Sequence, residues 1–148
     1  WNASAASIHT IQNAEGEPKG ICFEPVGTST PFMCGLASDA GEQARTELTG
    51  NNYGRIDFAA YCSLNGQFYV YESGSNIGHF EQYQGGGLIE VLLNAQCKVE
   101  FRINGSVRYV SQKKLEFPLF AAVSARESGQ PFLKQLRWVG SSPFDCSP

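Results

Sequence analysis

The chain has 148 residues, with 11 lysines and arginines against 14 aspartates and glutamates, which gives a formal net charge of −3 at pH 7. This length suits one domain, and no interior stretch is typical of a linker, so we expect a single domain over residues 1–148. The acidic balance argues against a nucleic-acid-binding module, and no apolar stretch reaches the roughly 20 residues that a membrane-spanning helix needs.

Short apolar or alternating runs, bounded by glycine and proline, predict β-strands along most of the chain. The stretch 41–48 contains helix-forming residues but lacks an apolar stripe, and it is predicted to be a loop. Turn signals every 8–12 residues or so are typical of an all-β sandwich or barrel, and strands that are apolar on both faces favour two packed sheets. The predicted strands are 20–24, 31–36, 56–62, 67–72, 88–93, 98–103, 106–110, 117–123 and 132–139.

The clearest strand pair is a hairpin between residues 98 and 110. Charged and apolar residues alternate in Lys98–Ile103, and the alternation resumes in Ser106–Val110. Between these segments lies Asn104-Gly105, and Asn-Gly is the strongest short signal for a tight hairpin turn. We therefore expect an antiparallel pair with one buried face and one solvated face.

Aromatic residues are frequent in the middle third of the chain. Within residues 67–72, Tyr69 and Tyr71 alternate with Phe68 and Val70, so the two tyrosines are expected on one face and the other pair in the core. A tyrosine row on an exposed sheet face suits stacking on sugar rings or contact with a protein partner. The alternative is that the row packs beneath the second sheet or a loop.

Residues 50–55 form a second candidate for ligand or partner binding. Asn52 and Arg55 offer amide and guanidinium donors beside the aromatic ring of Tyr53. This composition suits the recognition of a polyol, and it is equally typical of an ordinary long loop.

The chain contains five cysteines and no Cys-x-x-Cys pair, and it has only two histidines, so we predict no metal site. One or two disulfide bridges in an oxidising compartment are expected, with at least one cysteine left over because five is odd. The alternative is that the cysteines are small buried apolar residues. The disulfide candidates are Cys22, Cys34, Cys62, Cys97 and Cys146.

The sequence begins with Trp1 and has its one methionine at Met33, from which we expect removal of a targeting peptide. Asn2 and Asn104 each begin an Asn-x-Ser sequon and are glycosylation candidates. Both observations favour an extracellular location or the lumen of an organelle, for example the thylakoid lumen.

The hairpin, its Tyr109-Val110-Ser111 end and the following Phe117-Pro118-Leu119-Phe120 resemble a recurring stretch of concanavalin A-like lectin and glucanase sandwiches. SPRY-like and laminin-G-like domains are relatives of this superfamily. Segments 1–7, 32–36, 56–61 and 69–72 also follow in the expected order, so the resemblance covers most of residues 1–139. It implies a two-sheet antiparallel jelly-roll sandwich with little or no helix. It does not imply an activity, because this architecture hosts lectins, glucanases, protein-binding modules and inert adaptors.

The glucanases of this superfamily carry closely spaced carboxylates on one strand, which a retaining glycosidase needs about 5–5.5 Å apart. This chain departs from that pattern, because its acidic residues stand alone in the predicted strands, and the one close pair, Glu15 and Glu17, lies in a Gly/Pro loop. We therefore predict no enzyme activity and no cofactor. The isolated residues are Glu72, Glu81, Glu90, Glu100 and Glu116.

Two roles follow for a non-catalytic sandwich. The first is an accessory or structural binding subunit that docks on a larger protein assembly, for example on the lumenal or extracellular face of a membrane complex. The second is a secreted lectin-like module that binds a carbohydrate, and a glycoside hydrolase-like enzyme is the third and weakest hypothesis. The residues expected to bind the ligand or partner are Asn52, Tyr53, Arg55, Tyr69 and Tyr71.

Overall fold

The computed structural model describes residues 3–16, 18–26, 30–38, 56–63, 66–82, 87–126 and 132–140. These residues form eleven β-strands and no helix, which confirms the predicted all-β class, and the described chain accordingly offers no helix that could cross a membrane. The strands are β1 (Ala3–Ile11), β2 (Lys19–Pro25), β3 (Phe32–Ser38), β4 (Phe58–Cys62), β5 (Gln67–Glu72), β6 (Ser75–Gln82), β7 (Ile89–Leu93), β8 (Val99–Ile103), β9 (Ser106–Val110), β10 (Leu119–Ala125) and β11 (Leu133–Val139).

The strands form two sheets in which every pairing is antiparallel. The six-stranded sheet has the order β1-β10-β3-β4-β5-β6, and the five-stranded sheet has the order β11-β2-β7-β8-β9. Alternate residues of each strand point between the sheets and exclude water there, which builds a core dominated by phenylalanine. This arrangement confirms the predicted two-sheet antiparallel sandwich. The largest fully buried aromatic side chains are Phe23, Phe32, Phe58, Phe68 and Phe101.

The predicted hairpin is β8–β9, and it turns at Asn104 and Gly105 as expected. Both residues have a positive φ, 52° and 83°, which the tight hairpin turns of right-twisted strands require. The backbone N–H of Asn104 donates to the Leu88 carbonyl at 2.8 Å, and its Oδ1 accepts from the Leu88 N–H at 2.9 Å. Asn104, one of the two glycosylation candidates, is exposed, and its side chain also bonds the turn to Leu88, which precedes β7.

The strand pairings are regular inside both sheets and irregular at their edges. Register shifts occur in the pairings β1–β10, β5–β6, β8–β9 and β2–β11, each of which involves an edge strand. The five interior pairings keep one register throughout. In β11 the shift falls around Gln135, whose φ is 55°. A bulge of this kind bends a strand locally and increases its twist.

The six-stranded sheet carries apolar residues on both faces, as the sequence of its central strands indicated. Residues on the face away from the core, including Met33, Ala37, Ala59 and Ala122, are almost completely buried. They form a second cluster with Ile56, and two tyrosines pack against it. The outer face of the six-stranded sheet therefore carries a second apolar cluster that is largely shielded from solvent.

The predicted disulfide bridges are not formed among the four cysteines that the structure describes. Cys22, Cys34, Cys62 and Cys97 are all free thiols, and Cys146 lies outside the described residues. The first three are buried, and Cys34 and Cys62 belong to the core between the sheets. Burial raises the pKa of both core thiols well above its ordinary value. These cysteines serve as small apolar residues, which was the alternative interpretation of the sequence.

Alkylation of the native protein should distinguish these thiols. We expect iodoacetamide to modify Cys97, which is exposed in the β7–β8 turn, while Cys22, Cys34 and Cys62 react more than about a hundredfold more slowly because they need local opening. Peptide mass spectrometry at timed intervals measures the reaction at each cysteine. In urea, which unfolds the protein and exposes all four thiols, we expect the four rates to become similar. Rapid native labelling of Cys34 or Cys62 would contradict their place in the core.

Candidate functional site

Three tyrosines gather on the outer face of the six-stranded sheet, and we call Tyr61, Tyr69 and Tyr71 the tyrosine surface. Tyr61 lies opposite Tyr69 across β4 and β5. Their ring centroids are 5.6 Å apart, and the Tyr61 and Tyr71 centroids are 5.2 Å apart with the rings at 89°. The first pair is tilted and the second is edge-to-face, and both distances lie in the 4.5–7 Å range of interacting aromatic rings. The three rings therefore hold one another in place.

The orientation of β5 follows the predicted alternation. Phe68 and Val70 are fully buried in the core, whereas Tyr69 and Tyr71 are half-buried on the opposite face. Tyr61 was not singled out from the sequence, although the same alternation in β4 places it on this face. The missing information was the β4–β5 register, which sets Tyr61 beside the other two rings.

Residues of β3 and β4 lie beside the tyrosines on this face of the sheet. Gly35 and Ala59 lie in the same cross-strand row as Tyr71, and Met33 lies in the row of Tyr61 and Tyr69. All three tyrosines stand on strands and not on loops, and contacts between their rings hold them in position, as a binding site requires.

The tyrosine surface also has polar groups within reach. The Tyr69 hydroxyl donates to Gln67 Oε1 at 2.8 Å. Burial raises the pKa of Tyr61, with a further rise from Tyr71, while the positive charge of Arg126 lowers it in part. The Tyr61 hydroxyl is thus neutral at physiological pH and can both donate and accept a hydrogen bond. On the neighbouring edge strand, Asn76 pairs with Tyr71 and is exposed.

Three of the predicted binding residues belong to a loop that the structure does not describe. Asn52, Tyr53 and Arg55 lie outside the described residues, as does the glycosylation candidate Asn2. Of the predicted binding residues, the structure places Tyr69 and Tyr71, and it brings both of them against Tyr61.

Two carboxylates near the end of the tyrosine strands have structural partners. The Ser111 hydroxyl donates a hydrogen bond to Glu72 Oε2, which joins β5 to the segment that follows β9 in the other sheet. The Ser38 hydroxyl donates to Asp57 Oδ2 at 2.7 Å. Each carboxylate therefore fixes one segment of the chain against another.

Two further carboxylates lie in the five-stranded sheet and are also paired. Glu100 accepts from Arg102 Nε at 2.6 Å and from Asn94 Nδ2 at 3.0 Å. Glu24 lies 3.9 Å from the Lys134 ammonium. Among the described residues, no three histidine, cysteine or acidic side chains gather as a metal site would need.

None of the protein-family models searched matches the chain, and no curated protein matches it either. The function must therefore follow from the chemistry of the surface itself.

Proposed function

We propose that this protein is a non-catalytic, lectin-like module of the concanavalin A-like type, which binds a carbohydrate on the tyrosine surface. The observation that carries the proposal is the clustering of three half-buried tyrosines on one rigid sheet face. The C–H face of a sugar ring packs on an aromatic ring, and tyrosine adds a hydroxyl that bonds to the sugar. The antiparallel two-sheet sandwich supports the same superfamily.

The polar groups around the rings fit the same ligand. Sugars present hydroxyls that donate and accept, and the neutral Tyr61 hydroxyl, Gln67 and the exposed Asn76 provide both kinds of partner. Arg126, whose charge acts on Tyr61, adds a cationic donor at this end of the surface. A few placed polar groups beside apolar area are typical of a small-ligand site.

The proposed role is binding without chemistry. Hydrolysis of a glycosidic bond needs two carboxyl groups at one scissile bond. Glu72, Asp57, Glu100 and Glu24 are instead each bonded to a different structural partner. These contacts support a module that recognises a sugar and leaves it intact.

Removing one ring should reveal the site. We expect Tyr69→Ala to weaken binding of the best ligand on a glycan array by about five- to thirtyfold, because a stacking aromatic contributes about 1–2 kcal/mol. Isothermal titration with that glycan measures the loss, and Tyr69→Phe should lose less because it keeps the ring.

Val107→Ala is the matched control, since Val107 is 48% exposed in β9 of the other sheet and should leave glycan affinity unchanged. If Tyr69→Ala binds the glycan as tightly as the unchanged protein does, the tyrosine surface is not the binding site.

A second candidate function is the accessory subunit that docks on a larger assembly, at an extracellular or lumenal face. It is favoured by Ile77, which is 39% exposed on β6, the edge strand next to Tyr71. An exposed aliphatic residue on an edge strand suits a protein contact. Size-exclusion chromatography of the natively purified protein separates the two roles: a 16.1 kDa species supports the lectin-like module, and a much larger complex supports the docked subunit.

A further inference from the structure

A cleft with a volume of about 360 Å³ opens where the β7–β8 turn meets the segment that follows β9. Three of the five lysines of the chain line it, although the protein as a whole is acidic. We call it the lysine cleft, and its lining residues are Gln96, Cys97, Lys98, Gln112, Lys113, Lys114, Leu115 and Phe117.

The first wall of the lysine cleft is a turn built around Asn94. Its Oδ1 accepts hydrogen bonds from the backbone N–H groups of Gln96 and Lys98, both at 3.0 Å. Its Nδ2 donates to Glu100 Oε1 at 3.0 Å, and the Cys97 N–H donates to the Asn94 carbonyl at 3.0 Å. The turn therefore presents Gln96, Cys97 and Lys98 in fixed positions.

The second wall is anchored by Ser111, which is fully buried. The Ser111 N–H donates to the Val99 carbonyl at 2.7 Å, and its hydroxyl accepts from the Lys113 N–H at 3.0 Å. Across the two walls, Lys98 Nζ donates to Gln112 Oε1 at 3.2 Å. Both walls are thus held before any ligand arrives, which lowers the entropic cost of binding.

The residues that line the lysine cleft carry a net positive charge. Lys98, Lys113 and Lys114 line it, and no acidic side chain of the described residues does. Ammonium groups around one cleft repel one another, and a bound anion relieves that repulsion while it gains charge-assisted hydrogen bonds. The cleft is therefore matched to an anionic ligand.

The remaining lining points to a sugar that carries the anionic group. Phe117, which is 37% exposed, and Leu115 offer apolar area to the C–H face of a ring, and the two glutamine amides suit its hydroxyls. The volume lies at the lower end of the roughly 300–1,000 Å³ that small-ligand sites have, which fits one or two rings. We propose that the lysine cleft binds an anionic sugar whose charged group is a carboxylate or a sulfate ester, and we call either kind of ligand a sugar acid. This inference depends on the proposed carbohydrate binding only for the sugar part of the ligand.

Cys97 provides a reporter inside the lysine cleft, because its thiol is free and exposed there. We compare the rate of alkylation by anionic iodoacetate with the rate by neutral iodoacetamide, and peptide mass spectrometry measures both at Cys97. The small thiol 2-mercaptoethanol, which has no lysines around it, gives the reference ratio. We expect the ratio of iodoacetate rate to iodoacetamide rate to be several-fold higher at Cys97 than at this reference thiol. The double variant Lys113→Gln/Lys114→Gln should lower the ratio about threefold or more, and 0.5 M salt should lower it too.

Lys134→Gln is the control for loss of a lysine charge away from the cleft, since it removes one positive charge from an exposed lysine that pairs with Glu24 on the five-stranded sheet. A ratio at Cys97 that equals the ratio at 2-mercaptoethanol, or that falls equally in the Lys134 control, would overturn the anion site.

The ligand class is tested by NMR titration of the backbone amides of residues 96–98 and 112–114 with glucuronate, glucose 6-sulfate, glucose and sodium sulfate. We expect at least one of the two sugar acids to bind about tenfold more tightly than glucose and than inorganic sulfate. Which sugar acid binds identifies carboxylate or sulfate ester as the anionic group. Equal binding of glucose, or equal binding of inorganic sulfate, would overturn the assignment to a sugar acid.

The same titration separates this inference from the tyrosine surface. We expect Tyr69→Ala to leave binding of the sugar acid at the lysine cleft unchanged, and the double lysine variant to abolish it. If neutral glycans fail to bind while the sugar acid shifts the amides of the cleft, the tyrosine surface is wrong and the lysine cleft stands.

Discussion

Replacing Gly35 by alanine is expected to destabilise the protein by about 3 kcal/mol or more, or to prevent folding. Gly35 lies in β3, inside the six-stranded sheet, where β4 approaches it closely. A Cβ atom there would lie 1.8 Å from the Phe58 carbonyl oxygen and 2.9 Å from the Ala59 Cα. Both contacts are with backbone atoms, so no side chain can turn away, and β3 is flanked on its other side by β10. Urea unfolding followed by circular dichroism measures the loss.

Gly105→Ala is the matched control for this substitution. Gly105 has a φ of 83°, but its added Cβ would meet no atom within 4 Å. Only the local cost of an L-residue in the left-handed region remains, about 1–2 kcal/mol. A loss at Gly35 no greater than the loss at Gly105 would show that β3 and β4 are not in close contact.

Asn94→Ala should produce the second large effect, a loss of about 2–3 kcal/mol. The substitution removes two hydrogen bonds to backbone N–H groups and leaves the Glu100 carboxylate, which is 7% exposed, without its Asn94 partner. Because Asn94 also shapes one wall of the lysine cleft, the preference of Cys97 for iodoacetate should fall in the same variant. Urea unfolding gives the stability, and alkylation below the unfolding transition gives the second readout.

Asn94→Asp separates the two parts of this effect. An aspartate keeps the oxygen that accepts from Gln96 and Lys98, but it loses the donor to Glu100 and brings a second negative charge beside it. We expect an intermediate loss of stability. A loss at Asn94→Ala below about 0.5 kcal/mol would mean that backbone contacts alone hold the turn.

The five-stranded sheet and the interior of the six-stranded sheet could be predicted from the sequence, and the two edges of the six-stranded sheet could not. Nine of the eleven strands coincide with predicted runs. Seven of them are interior strands, which are paired on both sides and need apolar or β-branched residues, and the other two are the edge strands β9 and β11. The two missed strands, β1 and β6, are rich in alanine, serine, asparagine or glycine and lie at the two edges of the six-stranded sheet. Their strand conformation depends on a neighbour far along the chain, which local composition does not report.

The lysine cleft was not predicted from the sequence, and the register of the β8–β9 hairpin explains why. In the two-residue hairpin that Asn104-Gly105 predicts, Lys98 would face Ser111. The register shift in β8–β9 moves the pairing by one residue, so that Glu100 pairs with Val110 and Lys98 reaches Gln112. A slip of one residue exchanges the two faces of a strand, and that shift was not readable from the residues.

The register shifts at the sheet edges also bear on how the protein behaves when it is concentrated. An exposed straight strand presents a row of free N–H and C=O groups that can template a second copy, and this is a common route to fibrils. Here β1, β6, β9 and β11 are each bent by a shift, and β11 adds Lys134 and Arg137 on either side of its bulge. Two copies brought together edge to edge could not continue the hydrogen-bonded ladder for more than a few residues. A sandwich whose two sheets are both open is thereby kept from joining others into a continuous sheet.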